Sequence, residues 1–187
     1  MPIVERNPLP RIALRTRAEL RAWFQDNHGD HRGFWLVSSR PGPDIPYDDL
    51  VEECLIWGWI DSTVQVFDEQ SSGIRLTPRK PTSVWSALNK ARLARLEAAG
   101  LMQPAGIRAV EVARANGMYT FLDDVDAMVV PDDLAAALGD AGEVFESFSP
   151  GRRKQALYWV KSAKRPQTRA DRIAKIAQAA ADGTSLF

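Results

Sequence analysis

The residues best equipped for chemistry lie between Ile74 and Arg92, where Arg75, Thr77, Arg79, Lys80, Trp85, Asn89 and Arg92 crowd into one short stretch. Cations, a hydroxyl, an amide and an indole at this density suit an anionic or aromatic small molecule. Alternation along a strand puts Arg75 and Thr77 on one side and Ile74 and Leu76 on the other. Pro78 and Pro81 stiffen the connection and hold Arg79-Lys80 between them. A helix starting at Ser83 would carry Trp85, Asn89 and Arg92 on one face, with Val84, Ala87, Leu88 and Ala91 toward the core. The glycines of a phosphate-binding Walker loop are missing. The competing reading is a polar network that packs sheet against helix.

A second basic group follows further on. Residues 116–150 contain no Lys or Arg, but carry Asp123, Asp124, Asp126, Asp132, Asp133, Asp140, Glu143 and Glu146. Residues 151–175 then supply Arg152, Arg153, Lys154, Lys161, Lys164, Arg165, Arg169, Arg172 and Lys175 against the single acid Asp171. The helix predicted over 151–164 has Arg152, Arg153 and Lys154 in its first turn, and the next has Arg169 in its own. A cation there opposes the helix dipole by about 0.3–1 kcal/mol. Such local conflicts mark functional or strained sites. Either a docked anion relieves this one, or the acidic segment folds back and neutralises it. In the first case Arg152, Arg153, Lys164, Arg169 and Trp159 would join the Arg75–Arg92 group in one composite anion site, walled by Trp59, Trp85 and Trp159.

The remaining reactive groups are isolated. Asp61 follows the apolar Trp57-Gly58-Trp59-Ile60 and is either an arginine's structural partner or a perturbed acid/base. An enzyme on a phosphorylated or acidic substrate would use it as general base, but no second catalytic group can be assigned. Cys54, the single cysteine, sits in an apolar run as a small buried hydrophobe and excludes an intrachain disulfide. His28 and His31 with Asp26 and Asp30 read as a solvated loop rather than a metal set. No metal and no cofactor is expected.

These side chains must be carried by elements that the pattern outlines. Thr16-Arg17-Ala18-Glu19 is a capping box that opens a helix with Leu20, Trp23 and Phe24 at helical spacing. Strands are predicted at 33–38, 59–61, 64–67 and 74–77, the last two joined by the turn-prone Ser71-Ser72-Gly73. A short helix opens at Asp48 or Asp49 and runs through Trp57 to Gly58. Beyond Pro81 the pattern is helical: 83–99, 104 to near 117, a short helix from Pro131, 141–148, 151–164, and a last one opened by Thr168-Arg169-Ala170-Asp171 and ended by Gly183. Strands first and helices after argue α+β: a small, mainly antiparallel N-terminal sheet with helices, then a helical C-terminal half. The chain is read as a single domain, residues 1–187, with an α/β part about 12–80 and a helical part about 81–183.

The chain has 187 residues with 24 Lys plus Arg against 24 Asp plus Glu. That balance leaves no global basic field to recruit nucleic acid. No stretch reaches the length of a membrane span and no secretory h-region opens the chain, so the expected location is the cytoplasm. A homodimer is open to any such chain.

Several blocks resemble one family. Gly58-Trp59-Ile60-Asp61-Ser62, Thr77-Pro78-Arg79-Lys80-Pro81 with Trp85-Ser86, Met102-Gln103-Pro104-Ala105-Gly106, Ser149-Pro150-Gly151-Arg152-Arg153, Trp159 to Lys164, and Thr168 to Ile173 look like the YdeI/OmpD-associated, or bacteriocin-protection, proteins. The resemblance runs in co-linear order over roughly residues 16 to 183. Leu76 departs from an aromatic and Gly151 from a bulkier residue. What the resemblance implies is protection against cationic antimicrobial peptides in the bacterial envelope in company with a porin, a stress-associated role with no catalytic residues to carry over.

Overall fold

The computed structural model describes residues 9–29 and 32–187. His31 and Asp30 of the weak histidine grouping fall outside them. The chain divides into two compact units, Met1–Thr120 and Phe121–Phe187.

In the first unit β1 (Arg11–Ala13), β2 (Phe34–Ser39), β3 (Trp59–Val66) and β4 (Ser71–Pro78) form one sheet in the order β1-β2-β4-β3. The β2/β4 and β4/β3 pairs are antiparallel and β1/β2 is parallel, so the sheet is mixed. α1 (Arg17–Asn27) begins at the expected capping box: Thr16 Oγ1 accepts from the Glu19 amide, and the Glu19 carboxylate accepts from the Thr16 amide. α2 (Tyr47–Ile56) is the central helix, with Leu50, Val51, Glu53, Cys54, Leu55 and Ile56 all buried. The registered pair Phe34–Leu76 joins Leu20, Phe24, Trp59 and Leu93 in a core where each is at most 1 % exposed. Cys54 is buried there as expected, and desolvation pushes its thiol well above the ordinary value, which keeps it protonated and unreactive.

Two local expectations are corrected. Ser71-Ser72-Gly73 is not the hairpin turn but the start of β4. The reversal is made by Asp68, whose carboxylate accepts from the Gln70 amide at 2.9 Å and the Ser71 hydroxyl at 2.7 Å, an Asx-type turn that outcompetes the Ser/Gly signal. Gly73 is needed inside the strand because the Phe67 ring lies over it; a Cβ would stand 2.6 Å from that ring. β1 escaped the pattern because three residues carry too little alternation to be seen.

The second correction concerns α3 (Ala87–Ala98), which starts four residues later than Ser83. Ser86 is its N-cap, accepting from the Asn89 amide, while the Ser83 hydroxyl closes a turn on the Lys80 amide. Trp85 is therefore not helical and shares no helix face with Asn89 and Arg92. The buried stripe of α3 is Arg92, Leu93 and Leu96, whereas Ala87, Leu88 and Ala91 face outward. α2 decides this, because it supplies carboxylates to the arginines of α3. Arg92 is hydrogen-bonded to Asp48 and to Asn89, and Arg95 to Glu52. α4 (Pro104–Ala115) completes the unit, with Pro at its first position as predicted.

The second unit contains α5 (Asp123–Asp126), α6 (Asp132–Leu138), a 3-10 turn at Gly139–Ala141, α7 (Gly142–Ser147), α8 (Pro150–Lys161) and α9 (Pro166–Ala181). Leu134, Phe145, Leu157, Val160, Ile176 and Ala180 form its core. α9 opens at Pro166 rather than at a Thr168 box: Arg165 is its cap residue and makes no side-chain cap.

The conflict between cations and helix dipoles is resolved internally at two of its four positions: Lys154 reaches Asp126 at 2.9 Å, and Arg169 grips Asp133 through two nitrogens at 2.6 and 2.9 Å. Lys161, in the last turn of α8 where the dipole favours a cation, also pairs with Asp124. The hydrogen bonds from Lys161 and Arg169 hold the Asp124 and Asp133 carboxyls below the usual range. Carboxylates with depressed values stabilise the fold above the unfolded value near 4, and that contribution is lost as pH falls through the folded value. Asp133→Asn should cost the second unit about 0.5–1 kcal/mol at pH 7, because the pair is half exposed. Urea unfolding should show this difference shrinking below about pH 4.

Candidate functional site

The chemistry-bearing segment gathers around the end of β4. The Arg79 amide donates to the Gly58 carbonyl at 2.9 Å and locks Pro78–Pro81 beside the Trp57–Trp59 corner. Gly58 turns that corner with φ +72°, its α-carbon so close to α4 that a Cβ would stand 2.7 Å from the Ala105 carbonyl oxygen. These approaches enclose a cavity of about 410 Å³. Trp57, Trp59 and Trp85 form its aromatic wall, and Ala105, Arg108, Ala109 and Val112 present one face of α4 to it at i, i+3, i+4 and i+7. Arg79, Lys80 and His28 complete the rim. Among the described residues no Asp or Glu lines it.

A second, more polar cleft of about 520 Å³ is lined by Arg32, Ser62, Arg75 and Thr77. It shares Pro78, Arg79, Lys80 and Pro81 with the first cavity. Again no carboxylate is among the described residues that line it.

Arg79 is the centre of both. Its guanidinium stacks on Trp85, 3.9 Å from the ring centroid, and donates to the Val84 carbonyl at 3.3 Å. Among the described residues its buried Nε has no hydrogen-bond partner, and neither does the Trp57 indole Nε1. Burial pushes the Arg79 guanidinium down to about 10, while Cys54 and Asp61 act on it only through longer-range charge interactions that oppose the shift. Arg21 and Arg169 show the opposite behaviour. Their values are raised, chiefly because Glu53 and Asp133 accept their hydrogen bonds. Desolvation without a contacting carboxylate sets Arg79 apart from them.

The other predicted site residues divide clearly. Arg75, Thr77, Arg79, Lys80 and Trp85 are brought together by the two cavities. Asn89 and Arg92 are not: Arg92 is buried between α2 and α3 on Asp48 and Asn89, and neither residue lines a cavity with Arg79. Asp61 accepts from the Tyr47 hydroxyl at 2.8 Å, and among the described residues it pairs with no arginine. Partial desolvation of its ring and that bond push the Tyr47 phenol up to about 12. In the second unit, Arg169 is occupied by Asp133. Trp159 packs against Phe187 and beneath the Arg172 guanidinium, which donates to its carbonyl. Arg152 and Lys164 are exposed, and Arg153 Nε is buried without a partner among the described residues.

Trp57, His28 and Arg108 were missed by sequence reasoning. Arg108 carried a usable signal, since Ala105, Arg108, Ala109 and Val112 make a helix stripe of small and mixed character that differs from the Val110–Ala113 core face. His28 carried none, because it reaches the cavity only through the end of α1 and its contact with Trp57 at 4.8 Å.

No helix of the described residues is long and apolar enough to cross a membrane. Among those residues no group of His, Cys, Asp and Glu could hold a metal ion. Comparison with known proteins returns no match among curated proteins and none among solved structures. Two family models do match. One, a domain of unknown function (DUF8412), covers residues 12–109 and hence both cavities' β4 wall. The other, bacteriocin-protection, YdeI or OmpD-associated, covers residues 127–183. The resemblance noted in the sequence thus holds over its C-terminal blocks, while its blocks around Asp61, Arg79 and Pro104 lie in the stretch matched by the first model. Residues 127–183 thus match the bacteriocin-protection, YdeI or OmpD-associated model in part, and the chain belongs to the family defined by that domain of unknown function, which spans more than half of it.

Proposed function

We propose that the protein is a stress- or bacteriocin-resistance-associated module whose N-terminal unit binds an anionic small molecule at Arg79. The observation that carries this reading is a guanidinium desolvated on Trp85, with no carboxylate of the described residues against it, between two cavities lined by further cations. A buried charge is normally paired, and an arriving oxyanion would supply the missing partner through charge-assisted hydrogen bonds. The family description of the C-terminal segment supports the association with bacteriocin protection. Asp61 lines neither cavity, so no reaction is assigned to it.

The test is thermal unfolding of the wild type in rising phosphate or sulfate at constant ionic strength. A saturable rise is expected, reaching about 2.7 kcal/mol at a hundred times the dissociation constant. Arg79→Met, which keeps most of the packing on Trp85 but not the charge, should fold and lose the rise. A wild type that shows no saturable rise with either anion would refute the reading.

A further inference from the structure

The two cavities differ in chemistry, and that difference bears on the ligand of the proposed anion site, on which this inference rests. The tryptophan-walled cavity is mostly apolar, flanked by Trp57, Trp59 and Trp85 and floored by small residues of α4. The second cleft offers Arg75 and the hydroxyl-bearing Thr77 and Ser62. Arg79 and Lys80 belong to both. Trp57, which lines the first cavity, adds one further feature. Its indole N–H, on a residue only 9 % exposed, is buried without an acceptor among the described residues. A buried donor left unmade costs about 1–3 kcal/mol, and an acceptor atom delivered by a ligand would recover it.

We propose that the ligand is a flat heteroaromatic ring joined to a compact oxyanion, with the ring against the tryptophans and the oxyanion on the Arg75 side of Arg79. Indoles and a stacked guanidinium favour a planar partner over an aliphatic one. The unmatched indole N–H selects a ring that carries an acceptor. Arg79 and Lys80, shared by both cavities, bind the charge wherever the linker places it.

The experiment is titration calorimetry with four probes: inorganic phosphate, phenyl phosphate, uridine 5′-monophosphate and uridine. Uridine monophosphate is expected to bind at least about tenfold tighter than inorganic phosphate and tighter than phenyl phosphate, with uridine alone weakest. Arg75→Ala, an exposed position, should weaken all three phosphates in parallel. Trp57→Phe should remove the advantage of uridine monophosphate over phenyl phosphate and leave inorganic phosphate unchanged. Inorganic phosphate binding as tightly as uridine monophosphate would overturn the bipartite ligand while the anion site stands. Phenyl phosphate binding as tightly as uridine monophosphate would overturn the acceptor-bearing ring. Binding of none of the four would overturn both this inference and the anion site beneath it.

Discussion

Arg17→Met should destabilise the N-terminal unit by about 3 kcal/mol while leaving the cavities intact. Glu53 is completely buried on α2. Arg17 Nε meets it at 2.7 Å and Arg21 at 2.6 Å, while Arg17 also spans to Asp49 at 2.7 Å and Glu52 at 2.9 Å. One guanidinium therefore holds three carboxylates of α2 against α1. Removing it leaves a buried carboxylate with a half-exposed partner, Arg21, and three neighbouring acids repelling one another. Loss of one member of a buried pair costs about 3–5 kcal/mol, and the survival of Arg21 argues for the lower end. The melting temperature of a unit this size should fall by roughly 10 °C. Glu53→Leu in the same chain is the control. With the buried charge gone, the further cost of Arg17→Met should drop to about 1 kcal/mol or less, the value of its remaining surface pairs. Equal costs in both backgrounds, measured by urea unfolding, would show that Glu53 is not what Arg17 stabilises.

Gly58→Ala should cost about 3 kcal/mol and should also impair binding at the tryptophan-walled cavity. Two penalties add. The residue sits at φ +72°, where an L side chain costs about 1–2 kcal/mol. Its Cβ would also press on the backbone of α4, 2.7 Å from the Ala105 oxygen and 3.1 Å from its carbon, and overpacking of this kind costs about 1–3 kcal/mol. Gly100→Ala separates the two. It has φ +66° with nothing within 4 Å of an added methyl group, so only the strain, about 1 kcal/mol, should appear. The binding consequence follows from Ala105 and Ala109 being both the neighbours of Gly58 and the floor of the cavity. Uridine monophosphate affinity should fall in Gly58→Ala and stay unchanged in Gly100→Ala, with inorganic phosphate unaffected in both. Equal stability losses in the two variants would mean that the close approach to α4 carries no cost.

Much of the local architecture was legible because it depends on neighbours in sequence. Thr16 and Glu19 cap α1 from three residues apart, and Pro104 opens α4 by its own fixed φ. The segregation of strands before helices is likewise present in the chain's order and matches the fold. Failures came where two local signals competed. Ser83 and Ser86 are both good caps, and the choice between them was made by α2, whose carboxylates draw Arg92 inward and turn Leu88 out. Ser71-Ser72-Gly73 and Asp68 both favour reversal, and pairing with β2 decided for Asp68.

At the site, the order of residues was enough to crowd cations, prolines and tryptophans around Arg79, and to set the acidic stretch from Asp123 beside the basic one after it. Which of those cations are already satisfied was settled by folding. Arg92 finds Asp48 from 44 residues away and Arg169 finds Asp133 from 36, whereas Arg79 is buried on Trp85 with no such partner among the described residues. The physical reason is that spacing along the chain reports where a charge sits on its own helix or strand. The cost of its desolvation and the carboxylate that offsets it come through space, from elements that the fold alone brings near.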